Sequence, residues 1–330
     1  MERRPFGKTG MNVSVIGFGA WGIGGSAMAG TIPIGWGDVD DTVSTRALLR
    51  GVQRGMNFVD TADFYGVGHS ESLIGATLGN RQDIIVATKV GHSLNTDGSI
   101  STDYSRDYII RACEASLKRL RRDRIDYYQL HSARVSHLQE GECIEAMELL
   151  QGQGKIRCWG ISLNTFHPEP EAEYLMHRNL GSGFQLVLNI VNQRAVPLLL
   201  RAREKGYGVI ARMPLQFGLL AGKFTPHTLF EKNDHRSFRL TPAILECALR
   251  DLGDVWRMAE RLGLSRVSLS LSFCLSFPEV STVIPGIKTP QQAEENTSGV
   301  VRLSADDLKT LQRLYSTKLR TIVDQMEHQG

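Results

Sequence analysis

Asp60-Thr-Ala-Asp-Phe-Tyr65 sets a carboxylate and a phenol at the exit of a short apolar segment, Met56–Asp60, that reads as a buried strand. Ionisable groups in that position are costly unless partnered. Lys89 ends the run Asp83–Lys89, and His131 ends Asp126–His131, so Asp, Tyr, Lys and His stand at the exits of three successive strand-like segments. Taken singly, each has an ordinary explanation: a turn-capping carboxylate, a surface phenol, a solvated strand end, a satisfied core histidine. Taken together they form a proton-transfer set. A phenol has an unperturbed pKa of about 10, and to give up its proton near neutral pH it needs a neighbouring cation that favours the phenolate. Lys89 supplies that charge, and Asp60 holds Lys89 and offsets its burial. His131 can hydrogen-bond a substrate oxygen or relay a proton. The set suits protonation of an alkoxide as it forms on a carbonyl carbon.

The elements that must position these groups alternate along the chain. A hairpin is expected over Arg4–Val15, with Gly7 and Gly10 as turn residues. Strands are expected at 14–18, 57–60, 83–89, 125–131, 156–162, 184–189, 207–211 and 281–284. Helical periodicity falls between them, at 41–54, 70–78, 106–120, 138–151, 169–177, 195–205, 243–262 and 265–276, and helices at 291–297 and 304–314 finish the chain. Eight βα units predict a single domain over residues 1–330, a (β/α)8 TIM barrel with an N-terminal β-hairpin and extra helices near the C-terminus. A doubly wound open sheet is the competing architecture. The barrel explains why polar residues gather at strand C-termini, where such folds carry their sites. Gly17-Phe-Gly19-Ala-Trp-Gly22 matches the dinucleotide fingerprint G-x-G-x-x-G, but the residues after it cannot open the helix which that fingerprint needs. These glycines more naturally allow close backbone approach at a strand end. Two long irregular stretches, 22–40 and 213–240, have the length of lids or mobile segments.

Together these stretches carry a resemblance. Phe6-Gly-Lys-Thr-Gly10, Asp60–Gly66 with Ser70, Glu71 and Gly75, Thr88-Lys89, Asp126–His131, Gly160-Ile-Ser162, Gln185 with Asn189, Pro214-Leu215 with Gly218-Leu-Leu220, and Ile284-Pro-Gly286 through Glu295-Asn296 are similar to the aldo-keto reductases over nearly the whole chain, in particular to the branch that includes potassium-channel β-subunits. The resemblance implies an NADP(H)-dependent oxidoreductase that reduces an aldehyde or ketone by hydride transfer from nicotinamide C4. Tyr65 would be the general acid, tuned by Lys89 and Asp60, with His131 orienting the carbonyl. A nucleotide-sensing partner subunit with slow turnover is the alternative. The implied cofactor contacts are Gly19 and Trp21; Ser162, Asn164 and Gln185 at the carboxamide; Arg212; Pro214, Leu215, Gly218, Leu220 and Lys223 over the pyrophosphate; and Gly286, Lys288, Gln292, Glu295 and Asn296 at the adenosine end. A helix starting near Pro290 offers free amides to a phosphate, with Lys288 beside it for a 2′-phosphate. Ser162 and Asn164 are separated by Leu163 where relatives have adjacent residues, and Arg212 replaces an aromatic that would stack on the nicotinamide; its planar guanidinium offers a substitute surface or a phosphate contact.

Composition limits the remaining possibilities. The formal charge of +3 over 330 residues is too small for a dedicated nucleic-acid surface. No apolar run is long enough to span a bilayer, and Met1–Lys8 has no signal-like stretch. The five cysteines, at 113, 143, 158, 247 and 274, form no Cys-x-x-Cys pair and no zinc motif; a cytoplasmic protein with reduced thiols is expected. Trp21, Trp36, Phe64 and His92 are expected to line an apolar mouth with polar edges, open to a small carbonyl substrate. Oligomeric state is not legible.

Overall fold

Each βα unit contributes one parallel strand to a ring: β1 (Phe18–Gly19), β2 (Phe58–Asp60), β3 (Ile85–Val90), β4 (Ile125–His131), β5 (Ile156–Ser162), β6 (Gly183–Val187), β7 (Gly208–Arg212) and β8 (Thr282–Ile284). In the computed structural model, which describes residues 1–329, these eight strands pair in chain order. Gly330, the last residue of the expected domain, lies outside the described residues. The ring closes between its first and last strands. The Gly17 amide donates to the Val283 carbonyl at 2.9 Å and the Gly19 amide to the Pro285 carbonyl at 3.0 Å. A Cβ at Gly19 would stand 2.7 Å from the Pro285 oxygen. The Gly17–Gly22 run therefore brings backbone against backbone at the seam. Gly19, expected at the cofactor, takes part in the closure of the barrel.

Strand alternation sorts the barrel interior into layers. Phe58, Ala87, Tyr127, Cys158, Ile210 and Ile284 form an apolar layer. The hairpin of Arg3–Pro5 and Asn12–Ser14 plugs it, adding Phe6, Met11 and Val13 to the same cluster. Two residues further along β2, β3 and β4 stand Asp60, Lys89 and Gln129, all buried. Apolar floor and polar ceiling thus come from one period-two pattern. Glycines give the large rings room: a Cβ at Gly160 would lie 2.1 Å from the Tyr127 hydroxyl, and one at Gly208 would lie 2.5 Å from the Phe6 ring.

Several elements differ from expectation. Residues 12–14 belong to the hairpin, and the first barrel strand starts later, at Phe18. Asn57 explains the offset: its Oδ1 accepts from the Ser14 amide at 2.6 Å and its own amide donates to Ser14 Oγ at 3.0 Å, which fixes residue 14 beside the sheet. The expected helix at 138–151 is two helices, Val135–Glu140 and Glu142–Gly152, because Gly141 takes φ 88° between them. The expected helix at 243–262 is likewise split into Pro242–Asp251 and Gly253–Arg261. The long stretches are not bare loops: 22–40 carries a small antiparallel pair, Met28–Ala29 with Ile32–Pro33, and 213–240 ends in a turn of helix, Arg236–Arg239. Past Tyr315 the chain continues as the helix Arg320–His328, which buries Ile322, Val323 and Met326. All five cysteines are buried and free. Among the described residues no helix is long and apolar enough to cross a membrane.

The tight fit around Tyr127 predicts that Gly160→Ala lowers stability by roughly 1–3 kcal/mol, through overpacking. A thermal melt of the variant against the parent chain measures it, and an unchanged midpoint would contradict the layered interior.

Candidate active site

The three strand-end groups from β2, β3 and the turn after β2 meet at one point. Lys89 Nζ donates to Asp60 Oδ2 at 2.7 Å, to the Thr61 carbonyl at 2.8 Å and to the Tyr65 hydroxyl at 3.1 Å. All three ammonium protons therefore have acceptors. Lys89 is fully buried, and Asp60 is 2 % exposed. Burial works against the Lys89 ammonium, yet Asp60 and Tyr65 outweigh it and hold the pKa above the ordinary lysine value. Asp60 Oδ1 accepts from Gln129 Nε2 at 3.1 Å and from Gln185 Nε2 at 2.7 Å. The carboxylate is thus saturated by neutral donors on one oxygen and by a cation on the other.

His131 completes the mouth from the end of β4. Its ring lies edge-on to Tyr65, centroids 6.1 Å apart, and edge-on to His92 at 4.5 Å. Burial, followed by the nearby His92, Lys89 and Arg212, pushes its pKa well below the usual histidine range. It is a neutral imidazole, and its buried Nδ1 has no partner among the described residues. His92 is also depressed, by burial. A neutral ring can orient an oxygen without adding charge, which leaves Lys89 as the cation in contact with the phenol.

The expected mouth residues gather around this point. Trp21 stacks on Tyr65 with centroids 5.9 Å apart, and meets Trp36 edge-on at 5.2 Å. Phe64 lies 5.7 Å from His92. The 213–240 stretch adds His235, 4.9 Å from Trp21, and Phe217, 6.3 Å from Trp36. These two were missed from sequence, since no periodicity marks an irregular segment. The two long stretches are clasped together: the His235 amide donates to the Gly35 carbonyl at 3.0 Å, His235 Nδ1 meets the Pro33 carbonyl at 3.0 Å, and Trp36 bridges to Asp234. Gln129 was also missed, although it occupies the inward phase of β4 between Tyr127 and His131. Asp63, in the same turn as Tyr65, is pushed well above the carboxylate range by burial and by Glu71.

The residues expected at a cofactor divide into those facing open space and those already engaged. Ser162, at the end of β5, pairs in register with Gln185 in the middle of β6, and Arg212 ends β7. The Gln185 amide is committed to Asp60, so it braces that carboxylate rather than standing free. Asn164 Oδ1 accepts from the Phe166 and His167 amides, each at 2.9 Å, and so closes a local turn. Pro214–Lys223 is a contorted strap. Met213, Gln216 and Phe217 have φ of 55°, 44° and 56°, a strained region for non-glycine residues. Asn189 Nδ2 holds it by donating to the Met213 carbonyl at 2.9 Å and to Gln216 Oε1 at 2.7 Å. Leu215 packs against the core and Leu220 is 1 % exposed within it, so Leu220 anchors the strap instead of lining a site. Gly218, at φ 88°, sits in the same bend.

At the far end, Lys223 Nζ lies 3.8 Å from Glu295, which ties the strap to the helix Pro290–Asn296. Lys288 Nζ donates to the Trp36 carbonyl at 3.0 Å, and its pKa is lowered by burial and by Arg236. The Lys288 amide donates to Gln292 Oε1 at 2.7 Å. The expected free amides at the start of this helix are corrected: Thr289 caps it by accepting from the Gln292 amide, and the helix has only seven residues. Two features do fit a nucleotide. Asn296 is buried with its Nδ2 unpartnered, and a Cβ at Gly286 would meet nothing within 4 Å. No cluster of three or more His, Cys, Asp or Glu side chains arranged to hold a metal ion occurs among the described residues.

Comparison with known proteins fits this geometry. The model of the Aldo/keto reductase family matches residues 15–316. The chain belongs to the aldo/keto reductase family. It is 30 % identical to the uncharacterised oxidoreductase YqkF of Bacillus subtilis, over 94 % of this chain and 96 % of that protein. It is 28 % identical to a probable voltage-gated potassium channel subunit beta of Arabidopsis thaliana, with 91 % of each covered. Among solved structures it is similar to the glycerol dehydrogenase AKR11B4 of Gluconobacter oxydans, with a TM-score of 0.80, 26 % identity, and 97 % of this chain and 96 % of that chain covered. It is also similar to the aldo-keto reductase AKR11C1 of Bacillus halodurans in its holo form, with a TM-score of 0.75, 28 % identity and coverage of 95 % and 96 %.

Lys89→Met should cost about 3–5 kcal/mol, because it strands the Asp60 charge in the barrel. Adding Asp60→Asn should recover part of the loss, which a double-mutant cycle in denaturant would resolve. His235 makes a pH prediction. Burial lowers its pKa from 6.5 to about 4, so on acidification the unfolded chain takes up this proton first. Its contribution to stability is complete above pH ~6.5 and is lost by roughly 1.4 kcal/mol per pH unit down to about pH 4. Melts from pH 7 to pH 4 should show a shallower slope in His235→Phe than in the parent chain.

Proposed function

We propose that this protein is an NADP(H)-dependent carbonyl reductase, reducing an aldehyde or ketone to an alcohol. The observation that carries the reading is the 3.1 Å contact between Lys89 Nζ and the Tyr65 hydroxyl, with Asp60 behind it, at the C-terminal mouth of the barrel. An ammonium donating to a phenol oxygen stabilises the phenolate that proton transfer leaves behind. Tyr65 delivers the proton to the forming alkoxide, and neutral His131 hydrogen-bonds the carbonyl oxygen and steadies its developing charge. Trp21, Trp36, Phe64 and His92 form the walls against which a carbonyl compound rests, and exclude water from the phenol.

The cofactor supplies the hydride. Ser162 and Arg212 would hold the nicotinamide end, with the Pro214–Lys223 strap over the pyrophosphate and Gly286, Glu295 and Asn296 at the adenosine end. Lys288, with Arg236 nearby, provides the positive charge for a 2′-phosphate; this supports NADP(H) over NAD(H). The trapped Asn296 amide and the open space at Gly286 support the placement. A second reading rests on the channel β-subunit relatives: a cofactor-binding regulatory subunit with slow turnover. Rapid steady-state NADPH oxidation with a panel of simple aldehydes favours the enzyme, and slow single turnovers favour the sensor.

Tyr65→Phe should lower turnover by roughly 10²–10⁴-fold, the range for a lost general acid, while NADPH affinity by fluorescence titration stays within a few-fold. Turnover at the parent rate would sink the assignment.

A further inference from the structure

At the barrel mouth stand Lys89, fully buried, and Arg212, partly buried, and of these two only Lys89 has a carboxylate in contact. Lys89 is held by Asp60. Arg212, at the end of β7, has no carboxylate within ion-pair distance among the described residues. Its Nη2 donates to the Leu163 carbonyl at 3.2 Å and to Thr165 Oγ1 at 3.1 Å, and its Nη1 contacts Met213 Sδ at 3.2 Å. Its Nε is buried with no partner. The guanidinium therefore reaches from β7 past the end of β6 to the loop after β5, where neutral oxygens and a sulfur fix its position without cancelling its charge. Burial works against it, with Tyr65 and Asp60 acting in the opposite sense, and it contributes to keeping His131 uncharged. A fixed, uncancelled cation is costly to keep in such a place unless it does something there.

The two redox forms of a nicotinamide cofactor differ at the ring: the oxidised ring is a cation, and the dihydro ring is neutral. Any ring that presents its C4 to a carbonyl held by Tyr65 and His131 shares the mouth with this guanidinium, where solvent screens charge poorly. We propose that Arg212 selects the redox state of the cofactor, disfavouring the oxidised form so that the site binds the reduced form more tightly. The same difference helps expel the oxidised product after each reductive turnover. This rests on the reading of the mouth as a nicotinamide site.

The test is the ratio of dissociation constants for NADP+ and NADPH, measured by calorimetry or fluorescence without any substrate. Phosphate and adenosine contacts are common to the two forms and cancel in the ratio. The ratio should exceed one in the parent chain, fall by roughly tenfold in Arg212→Gln, as expected for partly screened charges sharing one pocket, and be largely kept in Arg212→Lys. A parent ratio at or below one overturns the proposal without recourse to a variant. A ratio unchanged in Arg212→Gln overturns the selector alone and leaves the nicotinamide reading standing. Failure of the parent chain to bind either nucleotide overturns both.

Discussion

A lysine ammonium sealed inside a barrel is tolerable only with an anion in contact, and here Asp60 stands 2.7 Å away. Much of the mouth is arranged around that pair. Gln129 and Gln185 reach in from β4 and β6 to saturate the second carboxylate oxygen, so neighbouring strands are bound to one charge centre. The Thr61 carbonyl takes another ammonium proton, which fixes the turn that presents Tyr65. The phenol then receives the remaining one. The ammonium that touches the hydroxyl is, on its other side, part of a structural cross-brace of four strands. Coulomb attraction and desolvation nearly cancel in such pairs, so the brace confers position more than stability.

The rest of the fold keeps that position dry and unambiguous. The hairpin and the Phe6–Tyr127 layer close the barrel beneath the charges. The seam at Gly19 and Pro285 lets the ring shut without side chains in the way. Above, Trp21 lies on the phenol ring and is itself held by the clasp between the two long stretches. The aromatic wall beside Tyr65 and the strap therefore form one connected surface.

Much of this was legible in the chain. The strand ends of β2, β3 and β4 could be read because polar residues interrupt apolar runs at their exits, and a barrel brings such exits to one rim. The rejection of Gly17–Gly22 as a phosphate loop was also legible, since only a single 3-10 turn, Gly22–Gly24, follows these glycines and no α-helix begins before Asp41. Other features were hidden for physical reasons. Gln129 and Gln185 are neutral, so nothing in their type announces that they bind a buried carboxylate. Asn164 and Gln292 were read as ligands for a cofactor, whereas their oxygens accept nearby backbone amides, a local use that motif spacing does not reveal. The breaks at Gly141 and Leu252 fall inside continuous apolar periodicity, which carries no information about where a helix must turn a corner. The clasp of His235 on Gly35 joins residues two hundred positions apart, beyond the reach of local pattern.

The last helix has a bearing on the strap that its distance in sequence conceals. Gln216, one of the left-handed residues of the strap, donates its amide to Met326 Sδ at 3.0 Å. Arg194 pairs with Asp324 and Glu327 and pins the same helix from the other side. The contorted backbone is thus leaned upon by the end of the chain, like a sprung latch against its keeper. Such a helix can stiffen a strained segment from behind, so a change at Met326 or Arg194 would alter how firmly the strap is held without touching the strap itself.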